Sequence, residues 1–384
     1  MQPFCSVFQQ LLNCFPRREF AALVAQHQAE RHARGFGSWD QFVAMLFCQL
    51  ARVQSLSEIC LGLRSACGKL VHLGVRAPSK STLAYANEHR PWELYRSVFF
   101  RLLERCRQVA PRHRFRFKNK LLSIDTTVID LCASMFDWAK FRRTKGAVKL
   151  HVVLDHSGHL PCFVQITEGK ASDLQLARTV EFPAGAVVVF DRAYIDYRWF
   201  RRLTQRGVWF VTRTKRKMQY RVIEDHPVPK NRNVVRDQTV ELIMADWYRF
   251  EPLKVRVVEI LTDQGEPLEF LTNQFTFGAT TIAEIYRQRW QIELLFKALK
   301  QNLRIKTFVG TSANALHTQI WTALIALVLA RYLQFKARFG WCLSTLLAML
   351  RLQLFTHRDL WKWLDDPGIG SLPAEPSPQL VLGY

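Results

Sequence analysis

Near residue 290 the chain reads Tyr286-Arg-Gln-Arg-Trp-Gln-Ile-Glu293-Leu-Leu-Phe-Lys297-Ala-Leu-Lys300. Read as one helix, this segment places Tyr286, Arg289, Glu293, Lys297 and Lys300 at intervals of 3, 4, 4 and 3 residues. At 3.6 residues per turn the five share a face. Ile285, Ile292, Leu295, Phe296, Leu299 and Leu303 form an apolar stripe on the other side. One carboxylate among three cations and a phenol suits a phosphate chain that carries a metal ion. Two further acids fit the same chemistry. Asp125 lies in mid-strand, in Ser123-Ile-Asp125-Thr-Thr, where an ionised carboxylate is costly unless it is paired, hydrogen-bonded or on a metal. Asp191 ends the apolar run Ala186-Val-Val-Val-Phe190, at the carboxyl end of a strand, where α/β folds place their chemistry. Three converging carboxylates can hold two divalent ions for an in-line phosphoryl displacement. Oxygen-only ligation favours Mg²⁺ or Mn²⁺ over zinc. Each acid also has a plain reading. An aspartate at a strand end is commonly a turn cap, and Glu293 can form an i,i+4 ion pair with Arg289 or Lys297. Asp130, Asp137, Asp155, Asp173 and Asp196 are read in that plain way.

The elements that must position these residues emerge from periodicity. Leu121 to Leu131 reads as a strand. Val148 to Leu154, the turn Asp155-His-Ser-Gly158, and Cys162 to Thr167 read as a hairpin. A short helix over 172–180, the buried strand 186–190, a helix over 197–205 and a strand over 208–212 complete a mixed α/β layer. Residues 214–270 break that rhythm with short β-like runs at 238–244, 253–261 and 268–271. Thr280-Thr281 is expected to cap the helix of Glu293. Residues 1–110 read as helical, with Trp39 to Val53 amphipathic, a second helix opening at Ser57-Glu58 and a third at Pro78-Ser-Lys-Ser81. Three short helices can be a DNA reader of the helix-turn-helix kind or a plain bundle. The basic run Arg112-His-Arg-Phe-Arg-Phe-Lys-Asn-Lys120 is either a solvated linker or an arm on phosphates.

Composition narrows the partners. The 384 residues carry 54 Lys+Arg against 32 Asp+Glu, a formal net charge of +22. Such a chain attracts polyanions, nucleic acid first among them. The longest apolar run, Ile320 to Ala330, is about half of the ~20 residues that span a bilayer and reads as a buried helix, so no membrane association is expected. Nine scattered cysteines without a CxxC pair suggest reduced thiols in a cytoplasmic protein. The N-terminus lacks the pattern of a signal peptide.

The spacing Tyr286-x2-Arg289-x3-Glu293-x6-Lys300 resembles the Y-R-E-K signature of bacterial insertion-sequence transposases of family four. Asp125-Thr-Thr and Asp191-Arg-Ala-Tyr194 resemble the blocks around that family's first and second catalytic aspartates. The likeness extends to Phe8-Gln-Gln-Leu-Leu and Ser38-Trp-Asp-Gln-Phe42. One departure is Ala193, where glycine is more usual. The resemblance implies a ribonuclease-H-like catalytic core, with Asp125, Asp191 and Glu293 as catalytic metal ligands for Mg²⁺, and with Mn²⁺ able to substitute. It also implies cut-and-paste transposition of one mobile element: end cleavage, hairpin formation, then strand transfer. The DNA partners would be the terminal inverted repeats and the target, held by a homodimer associated with the nucleoid. Tyr286, Arg289, Lys297 and Lys300 would bind phosphates near the scissile bond. Arg213 and Lys215, with Arg216 and Lys217, could line the DNA path or be a solvated run. Relatives use a tryptophan in a β insertion to hold a flipped base, and Trp247 is the candidate.

The expected organisation is a helical DNA-binding domain over 1–110, a catalytic core over 118–213 and 271–310, a β-rich insertion over 214–270, and a helical C-terminal region with a flexible tail over 311–384. The residues alone leave two rivals open: a metal nuclease of the same fold that cuts without joining, and a DNA-binding relative without chemistry.

Overall fold

The computed structural model describes residues 5–31, 33–66, 68, 70–132, 140–142, 145–215, 218–228, 233–243, 252–303 and 308–368. In chain order the elements are α1 (Val7–Leu12), α2 (Arg17–Gln26), α3 (Ser38–Ala51), α4 (Leu56–Ser65), α5 (Leu70–Leu73), α6 (Lys80–His89) and α7 (Glu93–Val109). The strands β1 (Leu121–Cys132), β2 (Lys140–Arg142), β3 (Lys145–Asp155) and β4 (Leu160–Glu168) come next, then α8 (Asp173–Ala177), β5 (Val187–Val189), α9 (Tyr197–Gln205) and β6 (Trp209–Arg213). After them run β7 (Tyr220–Asp225), β8 (Val234–Leu242), β9 (Leu253–Leu261) and β10 (Pro267–Thr272). The chain closes with α10 (Ala279–Gln288), α11 (Trp290–Lys297), a π turn over Ala298–Asn302, α12 (Ala313–Lys336), α13 (Leu343–Gln353) and α14 (Leu360–Asp365). The architecture is mixed α/β. Contacts divide it into two units, one of 1–111, 129–147 and 295–384, the other of 112–128 and 148–294.

The first unit is helical apart from its share of β1 to β3. Its centre is α12, whose 24 residues are apolar on every side and mostly buried. An all-round apolar helix must be wrapped by others. Here α7 supplies Phe99, its ring centre 5.3 Å from that of Trp321, and Asn314 Nδ2 donates to the carbonyls of Asn87 and Arg90 at the end of α6. Helix α12 is long and apolar enough to span a membrane, yet 83% of its most apolar window is buried in the protein. The helical start and the helical end, expected as separate regions over 1–110 and 311–384, thus share one core. Ser79 caps α6 as expected; α4 starts earlier than Ser57, at Leu56 with Ser55 as its cap, and each cap side chain accepts an N–H three residues on.

The second unit is built on the sheet. Strand order runs β2-β3-β1-β5-β6-β10-β9-β8-β7, with β4 also paired to β3. The β3–β4 hairpin is antiparallel, and β1, β5 and β6 are parallel to one another. Val187, Val188, Val189, Phe190 and Phe210 are fully buried there, with Phe200 of α9 stacked on Phe210 at 4.2 Å. The strands of 214–270 form an antiparallel meander that joins the same sheet through β10 on β6.

One buried ion pair ties that meander to the loop entering α10. Arg256 of β9 donates to both carboxylate oxygens of Asp237 on β8, at 2.7 and 2.6 Å. Its remaining nitrogen reaches the loop's carbonyls, those of Gln274, Phe275 and Phe277. Both side chains are nearly inaccessible, at 7% and 5% exposed. Removing one partner of such a pair costs about 3–5 kcal/mol. Asp237→Ala is therefore expected to lose that much in chemical denaturation; a loss below about 1 kcal/mol would show that the loop holds without the pair.

Candidate active site

The pairing of β1 with β5 brings the two aspartates to neighbouring places. Strands β1 and β5 pair in parallel as Leu121↔Val187, Leu122↔Val188 and Ser123↔Val189, a constant offset of 66 residues. Asp125 and Asp191 each lie two residues beyond the last pair, Ser123↔Val189, and the Asp191 charge acts on Asp125. Neighbouring strands lie ~4.8 Å apart. Asp125 Oδ1 accepts the N–H of Thr126 at 2.8 Å. Asp191 caps the short 3-10 turn Arg192–Tyr194, its Oδ1 accepting the N–H of Ala193 at 2.7 Å. Asp191 is thus a turn cap as well as a candidate ligand, and its second oxygen is not used by that turn.

The third acid arrives on α11 with a cation attached. Arg289 Nη2 lies 2.6 Å from Glu293 Oε1, and Arg289 Nη1 lies 3.9 Å from Asp125 Oδ2. The guanidinium also sits 5.7 Å from the centre of the Tyr286 ring, within cation–π range. Burial opposes the Arg289 charge, but Tyr286, Glu293 and Asp125 outweigh it and hold its pKa up. Asp125, Glu293 and Arg289 therefore form one cluster, and the i,i+4 pairing of Glu293 with Arg289 is realised. The expected single helix is interrupted. Helix α10 ends at Gln288, and a tighter turn carries Arg289, whose N–H bonds to Tyr286 O and whose carbonyl accepts from Ile292. The apolar stripe is as expected, with Ile285, Ile292, Leu295, Phe296, Leu299 and Leu303 all buried. Gly278, not Thr280-Thr281, is the N-cap of α10; the two threonines lie in its first turn.

Asp125 is the costly member. Burial pushes its carboxyl up to about 7, against the opposing pull of the Thr126 N–H and Arg289; the charges of Asp191 and Glu293 push it further up. That sensitivity places both acids within electrostatic reach of Asp125. Beneath the acids runs a polar network that no sequence pattern announces. Thr126 Oγ1 is 2.8 Å from His151 Nδ1 and 2.9 Å from the Tyr194 hydroxyl, and His151 Nε2 is 2.7 Å from Thr167 Oγ1. Burial lowers the His151 pKa to about 4, so the ring is neutral. Nothing local in sequence flags His151; it comes to Thr126 through the pairing of β3 with β1.

Among the described residues no three acid, histidine or cysteine side chains already stand as a metal cage. The Arg289 guanidinium lies near both Asp125 and Glu293. The donor set nonetheless suits a hard divalent cation: all ligands are carboxylate oxygens, and the desolvated Asp125 gains from a nearby positive charge. Of the other residues singled out, Tyr286 is largely buried against Phe270, at 5.1 Å between rings, and feels Arg213. Lys215 and Lys297 are exposed and Arg213 is half-buried. Lys300 lies in the π turn. Arg216, Lys217 and Trp247 lie outside the described residues.

The metal-free protein has a testable signature. A carboxyl raised in the folded state binds a proton there between about pH 4 and 7 that the unfolded chain has already released. Asp125 therefore makes stability fall as pH rises through that window. In EDTA, thermal melts of Asp125→Asn are expected to lose this component of the decline. Identical pH profiles for the variant and the wild-type protein would show that Asp125 is not so placed.

Comparison with known proteins identifies the family. Residues 116–329 match the family described as the transposase DDE domain, and residues 5–76 match a family described as a domain of unknown function. A transposase of Sinorhizobium fredii is 32% identical over 66% of this chain and 71% of its own length. A transposase for the insertion sequence element IS5377 of Geobacillus stearothermophilus is 28% identical, over 66% of this chain and 67% of its own. A transposase for the element IS4SA of Synechocystis is 25% identical over 72% of this chain and 77% of its own. Among solved structures, the piggyBac transposase synaptic complex with hairpin DNA is similar over 96% of this chain and 85% of that chain, at 12% identity and a TM-score of 0.43, too distant to bear on the site. The family match spans more than half of the sequence and includes all three acids: the chain belongs to the DDE transposase family.

Proposed function

We propose that this transposase moves its own insertion sequence by cut-and-paste chemistry, with Asp125, Asp191 and Glu293 holding divalent metal ions, Mg²⁺ by preference and Mn²⁺ as a substitute. The observation that carries this reading is that Asp125 and Asp191 follow the paired ends of β1 and β5, with Glu293 linked to Asp125 through Arg289. The strand order β4-β3-β1-β5-β6, antiparallel in its first hairpin and parallel from β1 onward, supports a ribonuclease-H-type core. Ions bound by the three carboxylates would activate the attacking oxygen and stabilise the leaving one.

The chain's own residues have separable tasks in this reading. Asp125 and Asp191 supply ligands from neighbouring strands whose spacing the sheet fixes. Thr126, with its hydroxyl tied to Tyr194 and His151, steadies the backbone that carries Asp125. Arg289 occupies the acidic cluster in the free protein, and on loading it would turn from Glu293 to a DNA phosphate. Arginine suits that exchange because it binds either anion through paired N–H donors. Tyr286, held over Arg289, would move with it. Lys215, Lys297, Lys300 and Arg213 supply further cations to phosphates, and Trp247 is the candidate for stacking on a displaced base. Water would cut the element's end, and the freed 3′-hydroxyl would attack the opposite strand and be esterified in a hairpin. A second water would open the hairpin and release that hydroxyl, and the hydroxyl would then attack target DNA, each an in-line displacement at phosphorus. End cleavage, hairpin formation and strand transfer can therefore share one set of acids. The DNA partners are the element's terminal inverted repeats and a target duplex, held by a homodimer, with the helices of 1–110 contributing to recognition.

The test uses DNA carrying the sequence that flanks the coding region, with Mg²⁺. Wild-type protein is expected to yield nicked ends, hairpins and joined products. Asp191→Asn should bind the ends normally and lose a hundredfold or more of cleavage, at least the scale on which loss of one charge-stabilising group acts. Retained cleavage would remove Asp191 from the site. Cleavage without joined products would make the protein a nuclease of the same fold.

A further inference from the structure

Residues 112–120 stand apart from the three acids, although they lead straight into β1. Five of the nine are Arg or Lys, and the chain has no acid between Glu104 and Asp125. The segment bends at 114–117, yet exposure alternates strictly: Arg112, Arg114, Arg116, Lys118 and Lys120 face solvent, and His113, Phe115, Phe117 and Asn119 turn inward.

The inner face is clamped. Phe115 stacks on Phe117 at 4.9 Å, and Phe117 on Phe277 at 4.8 Å, with Trp209 6.3 Å beyond. His113 packs on Phe117 at 5.1 Å, and its Nε2 is 2.8 Å from Asn119 O. Asn119 Nδ2 donates to Gly185 O at 2.7 Å. A solvated linker needs none of these contacts. They fix a backbone whose outward side chains are cationic, and Lys120 alone of the five is paired, to Asp155 at 3.3 Å, among the described residues. Like charges held together without counter-ions repel one another, and that cost is repaid when an extended polyanion lies along them. Fixing the backbone in advance also lowers the ordering cost of binding.

We propose that residues 112–120 form a fixed cationic rail for the phosphodiester backbone of duplex DNA, a contact separate from the three acids. The proposal rests on the reading that the protein acts on DNA. Position favours a duplex as the occupant. Lys120 and Asp125 are five residues apart on one strand, roughly 16 Å at 3.3 Å per residue. One turn of duplex is about 34 Å. A duplex held at Asp125 therefore reaches the rail within a single helical turn. Alternating cations with no outward aromatic to stack on a base point to backbone contact without sequence readout.

The test is the salt dependence of binding, measured by fluorescence anisotropy in EDTA so that the acidic site contributes no chemistry. The probes are a 40-base-pair duplex of mixed sequence and an equal-length duplex copied from the DNA flanking the coding region. Each phosphate contact contributes about 0.9 to the slope of log K against log salt. The triple variant Arg114→Gln/Arg116→Gln/Lys118→Gln is expected to lose about 1–3 from that slope on both probes. A loss on the flanking probe alone would overturn the rail as a general backbone contact and place it on the element's ends. The charge-conserving R114K/R116K/K118R variant should keep the wild-type slope. The control Lys254→Gln/Arg351→Gln/Lys362→Gln, on exposed cations elsewhere, should keep it too. An unchanged slope in the neutralised rail, or an equal loss in the control, overturns the rail. Failure of the wild-type protein to bind either duplex would instead overturn the reading that it acts on DNA.

Discussion

The cost of keeping carboxylates close together at the end of a buried parallel sheet governs this protein. Asp125 and Asp191 each follow the last paired residues of β1 and β5, and Glu293 is linked to Asp125 through Arg289. Three like charges at this place would repel, and burial already raises the Asp125 pKa to about 7. The free protein meets that cost with its own cation. Arg289 lies against Glu293 and toward Asp125, and Tyr286 flanks it. A guanidinium that neutralises the acids before any ion arrives keeps the cluster intact. In the proposed reading, the arginine would yield that place when the acids take up an ion.

The surrounding structure serves to hold that cluster. Three valines and Phe190, all fully buried, make β5 a rigid interior strand, so its carboxyl end is a fixed point. The Asp237–Arg256 pair fastens the loop before α10, and hence the start of the segment that delivers Arg289 and Glu293. Thr126 fastens the other side through Tyr194 and His151. Asp237, Arg256 and His151 are buried with their partners satisfied, the form in which buried polarity adds definition rather than cost.

Much of this is legible in the sequence, and the physical reason is locality. Strand β5 announces itself by an apolar run that ends in an acid, β1 by an acid set within a strand pattern, and α6 by its capping residue Ser79. The three acids of the candidate site are each visible as a carboxylate in an unfavourable setting. What stays hidden depends on pairing across long sequence distances. The runs of 214–270 are recognisable as strands, but their joining of the main sheet through β10 on β6 is not. Likewise α12 reads as a buried helix without showing that α7 and α6 cover it. The role of Arg289 is ambiguous for another reason. The same i,i+4 spacing serves an ion pair and a phosphate clamp, and the free protein displays the first.

The most direct test of the central claim is to map the ion itself. Fe²⁺ in place of Mg²⁺, with ascorbate and peroxide, cleaves a polypeptide beside the bound metal. The account predicts cuts clustered at Asp125, Asp191 and Glu293, suppressed by excess Mg²⁺ and absent in Asp191→Asn. Cuts confined to other segments, or a pattern indifferent to Mg²⁺, would contradict it.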